Sequence, residues 1–124
     1  MPITYSIDAS AGVIFEVWKG DITADYLRHY WQTYLADPEV MELRRTLVDM
    51  REARIQFTGK ELSNLVMSVA TPALKGLDWK TAIVIAHPVQ FGVSKQYHVF
   101  AEHYSQDAIF ENYDDALRWL TQPG

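Results

Sequence analysis

Apolar and polar residues alternate in two stretches near the N-terminus, "ITYSID" (3–8) and "VIFEVW" (13–18). A two-residue period places the two sets on opposite faces of an extended chain, which is typical of a half-buried β-strand. The segment "ASAG" between them has the small residues that a tight turn requires. The two stretches are therefore predicted to pair as an antiparallel hairpin.

The apolar residues then recur at the spacing of one helical face in four segments. Their stripes are Leu27, Tyr30, Trp31 and Tyr34; Leu62, Leu65, Val66 and Val69; Val93, Tyr97, Phe100, Ala101 and Tyr104; Tyr113, Ala116, Leu117 and Leu120. Thr23, Thr58 and Asn112 precede three of the stripes and can accept hydrogen bonds from free amides at a helix start. Pro38 is predicted to end the first helix, because a residue before proline avoids the helical region, and Pro72 with Gly76 is predicted to end the second.

Three short apolar runs separate these helices: 45–50 ("RTLVDM"), 81–86 ("TAIVIA") and 108–110 ("AIF"). The run at 81–86 is apolar on both faces, as in a central strand that is covered on both sides. The resulting order is β-β-α-β-α-β-α-β-α, which predicts right-handed crossovers and mostly parallel pairing after the hairpin. We predict an α/β fold with a mixed sheet of about five strands and four helices, in a single domain over residues 1–124.

Composition narrows the classes of function. The 124 residues fit one domain, and a hydrophobic content of 48% is sufficient for one core. A net charge of −5 argues against nucleic-acid binding. The absence of cysteine excludes disulfides, thiolate nucleophiles and cysteine-ligated metals. No apolar run approaches the roughly 20 residues that span a bilayer, and the first residues do not have the pattern of a signal peptide, so a cytoplasmic location is expected.

Residues 57–62 satisfy two independent rules for the start of a helix. With Thr58 as the N-cap, Glu61 falls at the third helical position, and the two side chains can form a capping box. Phe57 and Leu62 then stand at the positions of a hydrophobic staple. A structural role accounts for these residues without any chemistry.

The element order, together with "LVDM" (47–50) followed by a Thr58-Gly59 helix start, resembles the STAS/SpoIIAA-like family. The ending "IFENYDDALRWL" (109–120) also resembles the close of the bacterial SpoIIAA-like domains. These are anti-sigma-factor-antagonist-like domains, grouped in some classifications with lipid-binding Sec14-like domains. The resemblance implies a SpoIIAA-like fold and a non-enzymatic regulatory or protein-interaction module. The alternative is a carrier domain for a small apolar ligand or a lipid, with peripheral lipid contact.

In the signalling members of that family, an Asp-Ser pair before a glycine opens this helix, and a partner kinase phosphorylates the serine. The matching residues here are Gln56, Phe57, Thr58 and Gly59, so Phe57 stands at the phosphoacceptor place. Thr58 carries the one hydroxyl group of this segment, and the resemblance makes it the candidate for phosphorylation. A phosphate would be favoured electrostatically at a helix N-terminus.

Polar residues follow the carboxyl ends of two predicted parallel strands, which is where ligands bind in open α/β sheets. We predict one rim, for a protein partner or for a small polar or anionic ligand, formed by Asp49, Arg51, Thr58, His87 and Gln90. The alternative is that Asp49 accepts hydrogen bonds from loop amides and that His87 is only a turn residue.

The sequence gives little support for a metal site or an enzymatic site. His98 and Glu102 lie one helical turn apart, with His103 beside them, but a metal ion needs three or four converging ligands. We therefore predict no metal and no cofactor. No nucleotide-binding or nucleophile motif occurs, so the chain is predicted not to be an enzyme.

Three surfaces remain open to interpretation. The aromatic residues of the first and third helices pack a core or line an apolar pocket whose polar groups are tyrosine hydroxyls. Ile14 and Trp18 flank Glu16 on one face of the hairpin, and if no helix covers that face, it is an apolar interface that predicts a homodimer. A basic cluster interleaved with acidic residues is interpreted as a solvated face; its members are Arg44, Arg45, Arg51 and Arg54.

Overall fold

The computed structural model describes residues 1–123. The elements follow the chain as β1 (Ile3–Asp8), β2 (Val13–Thr23), α1 (Ala24–Tyr34), α2 (Pro38–Leu43), β3 (Arg45–Gln56), α3 (Gly59–Leu65), a π-helical turn (Val66–Ala70), α4 (Thr71–Leu74), β4 (Trp79–Val84), α5 (Pro88–Ala101), β5 (Ser105–Phe110) and α6 (Tyr113–Leu120). Among these residues, no helix combines the length and the apolar character that crossing a membrane requires.

The five strands lie in one sheet in their chain order, β1-β2-β3-β4-β5. β1 and β2 are antiparallel, and the three later pairs are parallel, as the order of elements predicted. Because each new strand is added on the same side of the last one, right-handed crossovers place the connecting helices on one face of the sheet. The last helix, α6, packs on the other face.

The two faces of the sheet carry cores of different size. The large core lies under α1 to α5 and includes Leu27, Leu62, Leu65 and Ile83. The small core lies under α6 and contains six buried residues: Val13, Leu47, Ala82, Val84, Ala116 and Leu120. β4 contributes to both, which confirms that it is a central strand covered on both sides.

The number of helices differs from the prediction of four. Pro38 does not end a helix but begins the short helix α2, where Asp37 is the N-cap and accepts a hydrogen bond from the Glu39 amide. Proline suits the first helical position because the amide it lacks would have no helical partner there. Six residues are too few for a periodic stripe to appear in the sequence.

Pro72 likewise does not end the second predicted helix. The helical chain from Gly59 continues through the π-helical turn, in which the Thr71 amide donates to the Val66 carbonyl five residues earlier. This turn places Pro72 at the start of α4, where a proline is tolerated. Helical structure therefore extends to Leu74, and Gly76, the other residue predicted to end it, follows with a φ of 86°.

β2 and β3 are longer than the predicted strands, which ended at residues 18 and 50. Residues 51–56, which lie between the predicted strand and the helix start at Thr58, continue β3 beside the end of β2. Opposite charges face each other across the two strands: Arg54 contacts Asp21 at 2.7 Å, and Lys19 contacts Glu52 at 3.9 Å. The local pattern of residues 51–56 did not indicate a strand, because their charges are balanced by residues of β2 that lie far away in the sequence.

The face of β2 that carries Ile14, Glu16 and Trp18 is covered, with exposed fractions of 0%, 4% and 6%. The right-handed crossovers bring α1 and the later helices over it. The exposed apolar patch on which the predicted homodimer depended is therefore absent from the described residues. The homodimer itself stays a prediction.

Candidate functional site

The predicted rim contains a tight ion pair between Asp49 and Arg51. The Arg51 Nε and Nη2 atoms donate to the two Asp49 oxygens, both at 2.9 Å. These hydrogen bonds hold the pKa of the Asp49 carboxyl below its usual range. The Arg51 guanidinium also lies 5.6 Å from the centre of the Tyr113 ring, so α6 covers part of this pair. Asp49 therefore has a strong partner within its own strand.

Thr58 forms the predicted capping box, which confirms the helix start. Its Oγ1 atom accepts from the Glu61 amide at 3.1 Å, and the Glu61 carboxylate accepts from the Thr58 amide at 2.9 Å. The staple residues Phe57 and Leu62 pack into the large core. The Thr58 side chain is exposed, but its oxygen already serves as a hydrogen-bond acceptor.

Gln90 is the rim residue whose environment differs most from the prediction, because it is only 1% exposed. Its Oε1 atom accepts from the Ala86 and His87 amides at 2.8 and 3.1 Å. Its Nε2 atom donates to the Arg51 and Ala53 carbonyls at 3.2 and 2.9 Å. The amide group uses all four of its hydrogen-bonding positions on the backbone. Gln90 thus links α5 to β3 and has no capacity left for a ligand.

His87 is exposed at the start of α5. The structure thus joins Asp49 to Arg51 directly, and Arg51 to Gln90 and His87 through backbone groups. The Thr58 side chain bonds to the Glu61 amide and is not linked to this group by a hydrogen bond. The role of the rim in binding stays a prediction.

A cavity of about 70 Å³ lies elsewhere, in the large core between the sheet and α1, α3, α4 and α5. We call it the central cavity. Its apolar wall includes three of the four tryptophans, Trp18, Trp31 and Trp79, together with both staple residues. Its polar wall residues are Glu16, Tyr34, Thr46, Thr81, Ser94 and Tyr97. The aromatic residues predicted to form either a core or a pocket therefore do both.

Glu16 is the one acidic residue in this wall. The Tyr30 hydroxyl donates to its Oε1 atom at 2.5 Å, and the Trp18 indole donates to its Oε2 atom at 3.2 Å. Burial raises the pKa of Glu16 to about 7, although both hydrogen bonds act in the opposite direction. Each carboxyl oxygen has one donor, and an ionised carboxylate can accept further hydrogen bonds on both oxygens.

Tyrosines support this arrangement from α1. The rings of Tyr30 and Tyr34 stack at 5.3 Å, and the edge of Tyr5 packs on Tyr34 at 4.9 Å. The Tyr34 hydroxyl is hydrogen bonded to Thr46 Oγ1 at 2.8 Å. The position of the Tyr30 donor is therefore determined by aromatic packing on the helix that covers the sheet.

The chain matches no known family model and no curated protein. It does match a solved structure, that of an uncharacterized DUF3478-family protein from Shewanella loihica PV-4, which is described as having a SpoIIAA-like fold. The two are 20% identical, the alignment covers 95% of this chain and 93% of the other, and the TM-score is 0.61.

This chain has a SpoIIAA-like fold.

Phe57, which the sequence resemblance aligned with a phosphoacceptor position, lies in the wall of the central cavity. Thr58 faces solvent one position later, but the Glu61 carboxylate bonds to its amide. A phosphate on Thr58 would meet that negative charge and would displace the cap. Phosphorylation of Thr58 stays a prediction.

The acidic side chain nearest to His98 in the structure is Asp107 and not Glu102, which the sequence places one helical turn away. The His98 Nδ1 atom lies 3.6 Å from Oδ2 of Asp107 on β5, while Glu102 is exposed. Ser105 donates to the other Asp107 oxygen at 2.6 Å, and burial raises the pKa of the Asp107 carboxyl. Within residues 1–123, no three His, Asp or Glu side chains converge as metal ligands.

Glu16 is the site residue that the sequence analysis treated only as part of a patch. The signal was present, because an acid stands between Ile14 and Trp18 on the apolar face of an alternating strand. Such a residue is either exposed or buried with hydrogen-bond partners. Only the position of α1 decides between these two outcomes.

Proposed function

We propose that this SpoIIAA-like domain is a non-enzymatic binding module that holds a small, largely apolar ligand in the central cavity. The observation that carries the proposal is the buried Glu16 carboxyl in an otherwise mostly apolar wall. Ligand sites in proteins have this composition, with a few placed polar groups that orient the ligand. Glu16 would accept a hydrogen bond from a hydroxyl or amino group of the ligand.

The volume restricts the class of ligand. A buried cavity of about 150 Å³ is sufficient to hold benzene, and the central cavity measures about 70 Å³. A short aliphatic group of a few heavy atoms fits this space, whereas a complete acyl chain does not. The volume therefore favours a small ligand over the lipid of the carrier prediction.

Two further features support binding rather than catalysis. The donors next to Glu16 are a phenol and an indole, so it has no basic partner there for proton transfer. The Ser94 hydroxyl donates to the Gln90 carbonyl at 2.8 Å, as a helical serine commonly does, and is not paired with a base.

The proposal is tested by titrating the protein with 1-propanol and propylamine while tryptophan fluorescence is recorded. Because three of the four tryptophans line the cavity, we expect a saturable change in emission. Ala70 lies in the cavity wall and Ala73 does not, although both belong to the same helical segment. Ala70→Val fills part of the cavity and should weaken binding at least tenfold, whereas the matched Ala73→Val variant should bind as the wild type does.

A linear, non-saturating response to both probes would contradict the proposal. Equal binding by the Ala70→Val variant and the wild type would also contradict it, because the ligand would then lie outside the cavity. Thermal unfolding of both variants checks that each is folded at the temperature of the titration.

A second candidate is a regulatory protein-interaction module, and exposed apolar side chains favour it. Apart from Met1, the large apolar residues with high exposure lie on the π-helical turn and α5: Met67 (70%), Val89 (63%), Phe91 (47%) and Val99 (57%). Exposed apolar groups on neighbouring elements are typical of partner surfaces. The homodimer, the peripheral lipid contact and the cytoplasmic location are further proposals of this kind.

The second candidate predicts that Phe91→Ser with Val99→Ser weakens partner capture while the fold is kept. Thr58→Glu should change partner binding if the helix start acts as a switch. If neither variant changes the set of captured proteins, the interaction proposal fails, while the ligand proposal is unaffected.

A further inference from the structure

A larger cleft of about 560 Å³ lies at the amino ends of β3 and β4, at the opposite end of these strands from the predicted rim. We call it the basic cleft. Four of its lining residues are basic or can become so and two are acidic: Arg44, Arg45, Lys80 and His103, with Asp78 and Glu102. Its volume lies in the range of about 300–1,000 Å³ that is usual for small-molecule sites.

Two cations are placed next to each other in this cleft by the register of the sheet. Arg45 on β3 pairs with Lys80 on β4, so their side chains leave the same face of adjacent strands. Like charges in directly opposed positions destabilise a sheet. Burial and the nearby Arg45 lower the pKa of Lys80, which agrees with this proximity.

Three arginines elsewhere in the chain have acidic partners. Arg51, Arg54 and Arg118 contact carboxylates at 2.9, 2.7 and 2.7 Å. Within residues 1–123, no carboxylate lies within 4 Å of the charged nitrogens of Arg45 or Lys80. Other cations of the described residues, such as Arg28 and Lys60, also have no carboxylate within 4 Å. Arg45 and Lys80 differ from them because the register of the sheet places the two side by side. In the basic cluster described from the sequence, Arg51 and Arg54 thus form ion pairs with carboxylates, whereas Arg44 and Arg45 do not.

The ammonium group of Lys80 is held in place. It donates to the Trp119 carbonyl at 2.9 Å and lies 4.5 Å from the centre of the Trp119 ring. One of its three N–H groups is used in this way, which leaves two for a ligand. The Arg45 guanidinium adds a planar fork of donors that matches the oxygens of a phosphate.

We propose that the basic cleft binds a small phosphate monoester, with its phosphate group between Arg45 and Lys80. An anion there removes the repulsion between the two cations. The remaining volume accommodates a polar organic group. The hydroxyl groups of this group would donate hydrogen bonds to the carboxylates of Asp78 and Glu102. The same phosphate chemistry is found in soluble sugar phosphates and in phosphatidic acid, so the source of the phosphate is decided by experiment. This site shares the wall residue Trp79 with the central cavity but does not depend on the function proposed for that cavity.

The test is calorimetric titration at constant ionic strength with inorganic phosphate, glucose 6-phosphate and, as a monovalent control, chloride. We expect saturable binding of both phosphates, tighter for the ester, and none of chloride. Arg45→Met and Lys80→Met keep the aliphatic stems and should each weaken binding at least tenfold. Arg54→Met removes a paired arginine from the same strand and should leave the affinity unchanged.

A fourth arm measures cosedimentation with phosphatidylcholine vesicles, with and without phosphatidic acid. Binding to the phosphatidic acid vesicles alone, with the same loss in Arg45→Met, assigns the phosphate to a lipid headgroup. The proposal is overturned if none of these probes binds saturably. It is also overturned if Arg54→Met lowers the affinity as much as Arg45→Met does, because net charge alone would then explain the binding.

A second measurement needs no ligand. If the two cations repel each other, Arg45→Met should raise the melting temperature at low salt, and the gain should shrink as salt is added. Phosphate should raise the melting temperature of the wild type more than that of the variant. A melting temperature that is lowered by Arg45→Met at every salt concentration would show that the pair is not strained.

Discussion

Asp49 and Glu16 lie on adjacent strands of the same sheet, yet their carboxyl groups have opposite environments. Asp49 belongs to the rim and is neutralised by two hydrogen bonds from Arg51, so its pKa lies below the usual range. Glu16 faces the central cavity, with only the neutral donors Tyr30 and Trp18, and burial raises its pKa to about 7. The carboxyl group at the conventional ligand position has a cationic partner, and the carboxyl group in the core has only neutral ones.

The difference between these two carboxyl groups shows how to judge whether a polar residue belongs to a functional site. At the rim, Asp49, Thr58 and Gln90 each have partners close in sequence or on the adjacent backbone, and these partners explain why the residues are present. Glu16 also has a donor close in sequence, Trp18, but neither Trp18 nor Tyr30 carries a charge that offsets the cost of burying the carboxyl group. An unexplained cost is the better indication of a function.

The largest expected effect is on Gln90. If it is a structural link, Gln90→Ala leaves four backbone groups without their partner and should lower the free energy of unfolding by about 4 kcal/mol. Gln96→Ala on the exposed side of the same helix is the control, with an expected change within about 0.5 kcal/mol. Urea denaturation measures both. If the Gln90→Ala variant were as stable as the control, the structural role of Gln90 would be wrong, and its side chain would again be a candidate for ligand binding.

Glu16 should govern how stability changes with pH. Its pKa is about 7 in the folded protein and about 4.3 in an unfolded chain, so between these values only the native state binds the proton. Stability therefore falls as the pH rises from about 4 to 7 and stays lower above that range. The contribution is about 3 kcal/mol, and Glu16→Gln should remove it, which urea denaturation at pH 5 and pH 8 would measure.

Asp49→Asn is the matched variant for this experiment. Because its folded pKa is lowered, Asp49 contributes stability above about pH 4 that is lost as the pH falls through the folded pKa. The variant should therefore be uniformly less stable between pH 5 and pH 8, with an unchanged slope. If Glu16→Gln and Asp49→Asn gave the same pH profile in this window, the contrast between cavity and rim would be wrong.

The smallest effect is expected at Thr58. Thr58→Ala removes the acceptor for the Glu61 amide and should lower the free energy of unfolding by about 1 kcal/mol. Thr58→Ser retains the acceptor and should stay close to the wild type. Thermal and urea unfolding of the three proteins decides whether the cap accounts for Thr58, and equal stability of the alanine and serine variants would count against the cap.

Local rules in the sequence determined the order of strands and helices and the start of α3 at Thr58. Alternation, helical stripes and a capping box depend on residues at most a few positions apart, where backbone geometry leaves few choices. The same rules failed for α2 and for the second half of β3. One is too short to show a period, and the other is stabilised by charges on β2 that lie more than thirty residues away in the chain.

Only the tertiary structure decided which polar residues are available. The hydrogen-bonding groups of Gln90 are all used by backbone groups of β3 and of the start of α5. Glu16 is buried because α1 covers its face of the sheet. Arg45 and Lys80 became neighbours through the register of β3 and β4. These outcomes depend on which strands are adjacent and which face the helices cover, and long-range packing sets both, because it minimises exposed apolar area over the whole chain rather than within any one segment.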